Sequence, residues 1–344
     1  MVPGVWMAVS KMTILVTGGT GLIGSHLVER LVAEGRRVRV LVRPASQRGE
    51  LADLPVEWLN GDLLDAGSLQ AAMHGVKQVY HLAATMDDWG PWELFYQANV
   101  TGTENVCAAA LAAGVERLVH ASSIAATGLE DYSGLKDESF PFVDSQGEGR
   151  HPYCATKALG EQVVRRYHDE HGLPAVILRP TYVYGPREHK VGPYIVARVV
   201  RRGLRLLPGN GRNLHHWVYV GDLVRALVLA AQPGVPTGRP YLIGGPLTTA
   251  REGWHALTEA MGCGSIVYAP KSLGWLVAVA LEGLNWVTRS RSSPLLSRFR
   301  LAILTNNNGW DTGRAERELG FVPEVSIKEG MARAVKWWRE HGWL

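Results

Sequence analysis

Short apolar runs alternate with amphipathic stretches through the first half of the chain. Residues 13–17 (TILVT) form an apolar run that ends in glycines, the pattern of a buried strand. Residues 22–34 then place Leu22, Ile23, Leu27, Leu31 and Val32 at helical spacing, and Gly35 closes that helix. Further strands are predicted at 38–42, 56–59, 77–82, 117–121 and 175–179, with helices at 66–74, 92–113 and 153–171. Such alternation implies right-handed crossovers and an α/β fold, a doubly wound parallel sheet covered on both faces. After Pro180 the alternation loosens. Helices are predicted at 192–203, 221–231, 251–261, 273–288, 312–319 and 327–341, and short strands near 216–220 and 240–243 are expected to return to the main sheet. The chain therefore divides into a leader (1–11), a sheet domain (12–185, with chain returning near 216–243) and a smaller interleaved α/β lobe (mainly 186–344). No internal repeat or low-complexity segment interrupts it.

Composition narrows the class. With 46% hydrophobic and 20% charged residues in 344, the chain can bury a sizeable core. The formal charge of +4 is small and dispersed. Its densest basic piece, Arg289, Arg291, Arg298 and Arg300, is broken by Ser, Pro and Leu, which reads as a solvated face or a seat for one anionic group, not a nucleic-acid surface. Cys107, Cys154 and Cys263 show neither pairing nor metal spacing, which fits a reducing cytoplasm. The first eleven residues do not read as a secretory signal. Leu273–Val287 is the most apolar stretch, yet it is too short to span a bilayer and contains Glu282 and Asn285.

The glycines bring the first chemistry. Gly18, Gly21 and Gly24 in TGGTGLIG lie between a strand and a helix. Gly18 permits the tight turn, Gly21 lets backbone approach a pyrophosphate, and Gly24 allows close helix–strand packing, so the sheet domain is of the Rossmann type. Thr20, Leu22 and Ile23 complete a seat at the positive helix N-terminus. The second strand ends Leu41-Val42-Arg43-Pro44 with no acid to accept ribose hydroxyls. Arg43 favours the ribose phosphate of NADP(H), NAD(H) being the other possibility; alternatively its guanidinium stacks on adenine. Asp62, beside Leu63, is placed to hydrogen-bond the adenine amino group, and the small residues of Leu82-Ala83-Ala84 let a cofactor lie across the sheet edge.

Tyr153 and Lys157 are four apart at the start of a helix, one turn apart on one face. A phenol of ordinary pKa near 10 is a poor base, and a neighbouring ammonium is expected to lower that pKa. Tyr153 then serves as acid or base at a carbonyl or alcohol, and Lys157 also holds the nicotinamide ribose. Ser123, at the carboxyl edge of strand 117–121, is the candidate to orient the substrate oxygen, with Ser122 as neighbour. Asn99 either holds a water or the cofactor, or is a satisfied helix-face residue. His189, His215 and His216 lack metal-ligand spacing backed by a second cluster, and no metal is expected.

Together these residues resemble the extended short-chain dehydrogenase/reductase family of the NAD-dependent epimerase/dehydratase superfamily. TGGTGLIG, GDL, HLAA, NVTGTENV, ASSIAATG, YCATK, LRPTYVYGP and WVYVGDLVRA stand in the family's order over nearly the whole chain. The resemblance implies a lysine-assisted tyrosine as acid/base and a serine on the reacting oxygen. It also implies Pro180, Thr181, Tyr182 and Val183 beside the nicotinamide, and a homodimer through helices 92–113 and 153–171. The sequence departs from 4,6-dehydratases, with Ile124-Ala125-Ala126 in place of an acidic pair. It departs from sugar-nucleotide epimerases, with His215-His216 in place of Arg-Asp. Its tail is similar to the 3-beta-hydroxysteroid dehydrogenase and dihydroflavonol-reductase branch, and also to hopanoid-associated sugar epimerase-like proteins.

The leading expectation is an NAD(P)-dependent oxidoreductase that interconverts a secondary alcohol and a ketone on a hydrophobic small molecule, steroid-like or otherwise multi-ring. Helix 273–288 reads as core-packed, or else as gripping that substrate or lying on a membrane surface. Trp89, Trp92, Tyr184 and Trp217 are candidate pocket walls. The alternatives are a sugar-nucleotide epimerase with tightly held NAD, and a non-catalytic NAD(P)-binding sensor, against which Tyr153 argues.

Overall fold

The apolar runs become the strands of the sheet. The computed structural model describes residues 12–145, 151–189, 192–290 and 292–344, so the expected leader (1–11) and Arg291 lie outside the described residues. In chain order the strands are β1 (Thr13–Thr17), β2 (Arg37–Val42), β3 (Glu57–Asn60), β4 (Val76–His81), β5 (Arg117–Ala121) and β6 (Ala175–Pro180). They continue with β7 (Tyr182–Tyr184), β8 (Leu206–Pro208), β9 (Leu214–Tyr219), β10 (Pro240–Ile243), β11 (Leu247–Thr249) and β12 (Val267–Ala269). Seven form a parallel sheet in the order β10-β6-β5-β4-β1-β2-β3. The winding reverses between β1 and β4, and a crevice opens there at the carboxyl ends of the strands.

Helices cover both faces. On one lie α1 (Leu22–Ala33) and two later helices; on the other lie α2 (Ala66–Met73), α4 (Gly102–Ala112) and α5 (Pro152–His171). Between α2 and α4 runs α3 (Trp92–Tyr96), which passes through a π-helical turn (Gln97–Thr101) into α4. The predicted helix 92–113 thus carries a distortion. At that turn Asn99 pairs its side chain with the Thr85 backbone and with Thr156. A β-carbon at Gly160 of α5 would run into the Asn99 carbonyl, so glycine lets the two segments meet.

The second half adds α6 (Pro193–Arg201), α7 (Val220–Ala230), α8 (Ala250–Met261), α9 (Lys271–Val287), α10 (Arg298–Thr305), α11 (Gly313–Leu319) and α12 (Ile327–Glu340). α7 and α11 join α1 against the sheet, while α6, α8 and α12 enclose a separate core around Trp254 and Trp338. Two expectations need correction. Only one of the two late strands returns to the main sheet: β10 takes the free edge of β6, whereas β9 pairs with β7 and β11 in a three-stranded sheet. With β10 already on that edge, the chain beyond Pro180 turns away from the sheet. The core-packed reading of helix 273–288 also fails. In α9 only Gly274 and Ala278 are buried, while Leu276 is 60% and Trp286 80% exposed. Among the described residues no helix is long and apolar enough to cross a membrane.

One buried ion pair ties α5 to the strand ends. Glu161 accepts from Nε and Nη2 of Arg179, both at 2.9 Å, and from Nη2 of Arg165 at 2.7 Å. The Ser122 hydroxyl donates to the same carboxylate at 2.7 Å. Burial pushes the Glu161 carboxyl up, and the two guanidiniums with Ser122 outweigh it, so its pKa is held below the ordinary value. Removing one partner of such a pair leaves an uncompensated buried charge. Arg179→Met is therefore expected to lower unfolding stability in urea by about 3 kcal/mol, with Glu161→Gln in the same chain recovering part of it. A loss under about 1 kcal/mol would show that the pair holds nothing together.

Buried imidazoles make a second prediction. His81 and His120 lie on β4 and β5 with ring centroids 5.2 Å apart, and His215 lies on β9. Burial lowers His81 and His215 from 6.5 to about 3, and burial with the Lys157 charge lowers His120 well below 6.5. The unfolded chain therefore binds protons that the folded chain refuses, and stability falls as pH drops below about 6.5. At pH 5 the loss is roughly 2 kcal/mol for each of His81 and His215, read as a fall in Tm between pH 7.5 and pH 5. A Tm that is flat over that interval would contradict neutral burial.

Candidate active site

The turn after β1 is built so that only glycine fits. Gly18 has φ +70°, and a β-carbon on it would sit 2.6 Å from the Ala83 amide nitrogen in the turn after β4. A β-carbon on Gly24 would overlap the Gly18 carbonyl. The two turns at the switch point thus touch backbone to backbone. Helix α1 starts at an extended Gly21 with no side-chain cap and no acid in its first turn. Its first amides remain free of intrahelical partners, the arrangement that receives a pyrophosphate.

A cavity of about 1010 Å³ extends from this turn past the ends of β4, β5 and β6 to α9 and α10. Every expected site residue except Asn99 lines it. The Asn99 amide is spent on Thr85 and Thr156, so it is a brace for the π-turn, not a wall of the cavity. Ser122 reaches the cavity, but its hydroxyl is committed to Glu161. Arg43 is exposed at the end of β2. Asp62 accepts from the Leu64 amide at 2.9 Å, which fixes the loop that also carries Leu63. Of the four aromatic wall candidates, only Trp217 lines the cavity; Trp89 instead bonds to Ser290.

Three side chains meet where β5 ends and α5 begins. Ser123 caps a short 3₁₀ turn, accepting from the Ala125 amide at 3.1 Å, and its hydroxyl faces the Tyr153 phenol closely enough to pull on its pKa. Lys157 donates to the Ala121 carbonyl at 2.7 Å. The electrostatics differ from the sequence expectation. Burial pushes the Tyr153 phenol up to about 12 against the pull of the Ser123 hydroxyl. Lys157 is not among its causes, because its ammonium is turned onto the Ala121 carbonyl. Lys157 itself is lowered to about 8 by burial, opposed by Glu161. At neutral pH the phenol is protonated and faces a serine hydroxyl.

Glu161 and Arg179 escaped the sequence reading. A signal existed: Glu161 follows Tyr153 and Lys157 at steps of four and therefore shares their helical face. Arg179, at the end of an otherwise apolar run, is a charge that burial obliges to find a partner. The residues present fit a dinucleotide: glycines that open backbone amides at one end, an exposed guanidinium at the rim, and an acid and a hydroxyl at the inner end.

Comparison with known proteins agrees. Residues 14–244 match the NAD dependent epimerase/dehydratase family. The chain is 34% identical to the 2-alkyl-3-oxoalkanoate reductase of Stenotrophomonas maltophilia over 94% of this chain and 98% of that one. It is 33% identical to the sterol demethylase protein B of Methylococcus capsulatus over 97% and 100%. Its backbone superposes on the dTDP-glucose 4,6-dehydratase DesIV of Streptomyces venezuelae, solved with NAD and TYD bound, with a TM-score of 0.77 at 32% identity, covering 96% and 98%. This chain belongs to the NAD dependent epimerase/dehydratase family and is an NAD(P)-dependent oxidoreductase of the extended short-chain type.

Proposed function

We propose that the enzyme interconverts a hydrophobic ketone, steroid-like or otherwise multi-ring, and its secondary alcohol, with NADP(H) preferred through Arg43. The observation that carries this reading is the placing of Tyr153 and Ser123 together on the wall of a cavity whose other residues are mostly apolar. Relatives named for 2-alkyl-3-oxoalkanoate reduction and for sterol demethylation fit an apolar substrate.

When bound, the nicotinamide supplies or accepts the hydride. Ser123 donates to the substrate oxygen and aligns it. In the reducing direction Tyr153, protonated at its raised pKa, gives its proton to the oxygen as negative charge develops there. Stabilising the phenolate that remains falls to the Lys157 ammonium, one helical turn away, once it swings off the Ala121 carbonyl. In the oxidising direction the same proton returns to the phenolate. The epimerase alternative needs a cation for a nucleotide diphosphate, and His215 and His216 offer none, because burial lowers both.

Absorbance of the reduced cofactor across a panel of cyclic and alkyl ketones is expected to fall faster with NADPH than with NADH. Tyr153→Phe should lower turnover by about 10²–10⁴-fold while cofactor affinity stays within about twofold. Undiminished turnover in that variant would remove Tyr153 as the acid.

For an apolar substrate we also propose that α9 rests on lipid. Its outward face carries Trp275, Leu276, Leu284, Trp286 and Val287. Lys271 and Arg289 bracket it, and its single acid, Glu282, is neutralised by Arg298 at 2.7 Å, so the face is apolar with a basic border. Leu273 and Val277 of the same helix, exposed like Leu204, Leu206 and Leu295, line the cavity. A second copy seated here would cover that apolar rim; a bilayer can feed it. Co-sedimentation with vesicles containing anionic lipid is expected, and Trp286→Glu with Leu276→Glu should abolish it. Absence of sedimentation, with a dimer that the same variants split, would assign the face to a second copy.

A further inference from the structure

Strands β7 and β9 pair in parallel with Tyr182 opposite Trp217, which gathers an aromatic stack on the cavity wall. The Tyr182 and His215 rings lie 4.1 Å apart between centroids, His215 and Trp217 also 4.1 Å, and Trp254 meets Trp217 edge-on at 5.1 Å. The stack is polar as well as flat. The Tyr182 hydroxyl, both His215 nitrogens and the Trp217 indole nitrogen are all buried with no hydrogen-bond partner. The Ile303 main chain leans toward the imidazole without a directional hydrogen bond to either nitrogen. An unmet buried donor or acceptor costs about 1–3 kcal/mol, and three neighbouring side chains share this deficit. All three side chains border the cavity, with the Trp217 indole nitrogen turned toward Gly253 of α8.

The chemistry of the missing partner follows from the donor set. Burial keeps the imidazole and the phenol uncharged. A neutral imidazole offers one N–H and one lone pair, and the phenol an O–H with lone pairs. No formal charge in the stack offsets the desolvation of a phosphate or carboxylate. We propose that Tyr182 and His215, stacked on the Trp217 ring, form a second polar subsite, which receives an uncharged hydroxyl or carbonyl oxygen of the substrate other than the one that reacts. Its rings pack against the flat body that carries this oxygen. The subsite deepens the ketone–alcohol reading above and rests on it. His215 is then a specificity-determining residue, because a site built to hydrogen-bond a group rejects the analogue that lacks it.

The test compares a fused-ring diketone with its monoketone analogue, differing only in the second carbonyl. Calorimetric titration into the NADPH-loaded enzyme reads binding independently of turnover. The wild type is expected to bind the diketone at least about tenfold more tightly, and His215→Phe, which keeps a ring in the stack, should bring the ratio to within about twofold. Tyr182→Phe removes one hydroxyl only and should lower the ratio by a smaller factor; it also stands in if His215→Phe does not fold. Equal binding of both ketones by the wild type, or an unchanged ratio in both variants, would overturn the subsite. UDP-glucose binding more tightly than either ketone would overturn its neutral character. A wild type that binds the pair with the expected ratio yet reduces neither ketone would count against the reaction and leave the subsite standing.

Discussion

The arrangement of the site depends on a carboxylate that never meets water. Glu161 reaches from α5 to Arg179 at the end of β6 and to Ser122 after β5. A helix could rotate or slide on the sheet and keep much of its apolar contact, since hydrophobic packing has no direction. A bidentate guanidinium pair does have direction. It fixes the rotation of α5, and with it the face that carries Tyr153 and Lys157. Ser123 is brought to the phenol by the same bond, because its neighbour Ser122 is the third party.

What the clamp positions is the proposed reaction centre, a neutral phenol set in mostly neutral surroundings. Burial that raises the phenol also lowers the imidazoles of His81, His120 and His215. Lys157, held near 8, is the buried cation of this region besides the guanidinium already bound to Glu161. A charge that appears on the substrate oxygen therefore has few competitors for the field of that ammonium, and low surrounding polarity makes the field strong. In the proposed reaction the same burial that makes Tyr153 a weak acid at rest strengthens the field of Lys157 once its ammonium leaves the Ala121 carbonyl.

Much of this was legible in the sequence where local rules decide. The strand–glycine–helix order announced the crevice, and β1 and β5 fall on the predicted residues. Spacing of four placed Tyr153 and Lys157 on one face. Elsewhere the outcome depended on tertiary competition. β9 looked like any apolar strand, and its sheet was decided by β10 occupying the edge of β6. α9 carried a core-like pattern, yet only Gly274 and Ala278 are buried in the structure. Asn99 could not be read without knowing that Thr156 stands opposite. The direction of the Tyr153 shift was missed because sequence gives proximity along a helix, whereas burial and the orientation of the Lys157 amine are properties of the assembled site.

The contact between Gly18 and the Ala83 turn walls one end of the cavity with main chain, and the far end is of different character. Where two main chains abut, width is set by atoms every residue shares, and exchange of side chains cannot retune it. Toward α9 and α10 the boundary is formed largely by apolar side chains, such as Val277, Leu281, Phe299 and Ile303. One end of the molecule is thus a rigid socket for a universal coin, and the other a lining that point mutation can recut without disturbing the socket.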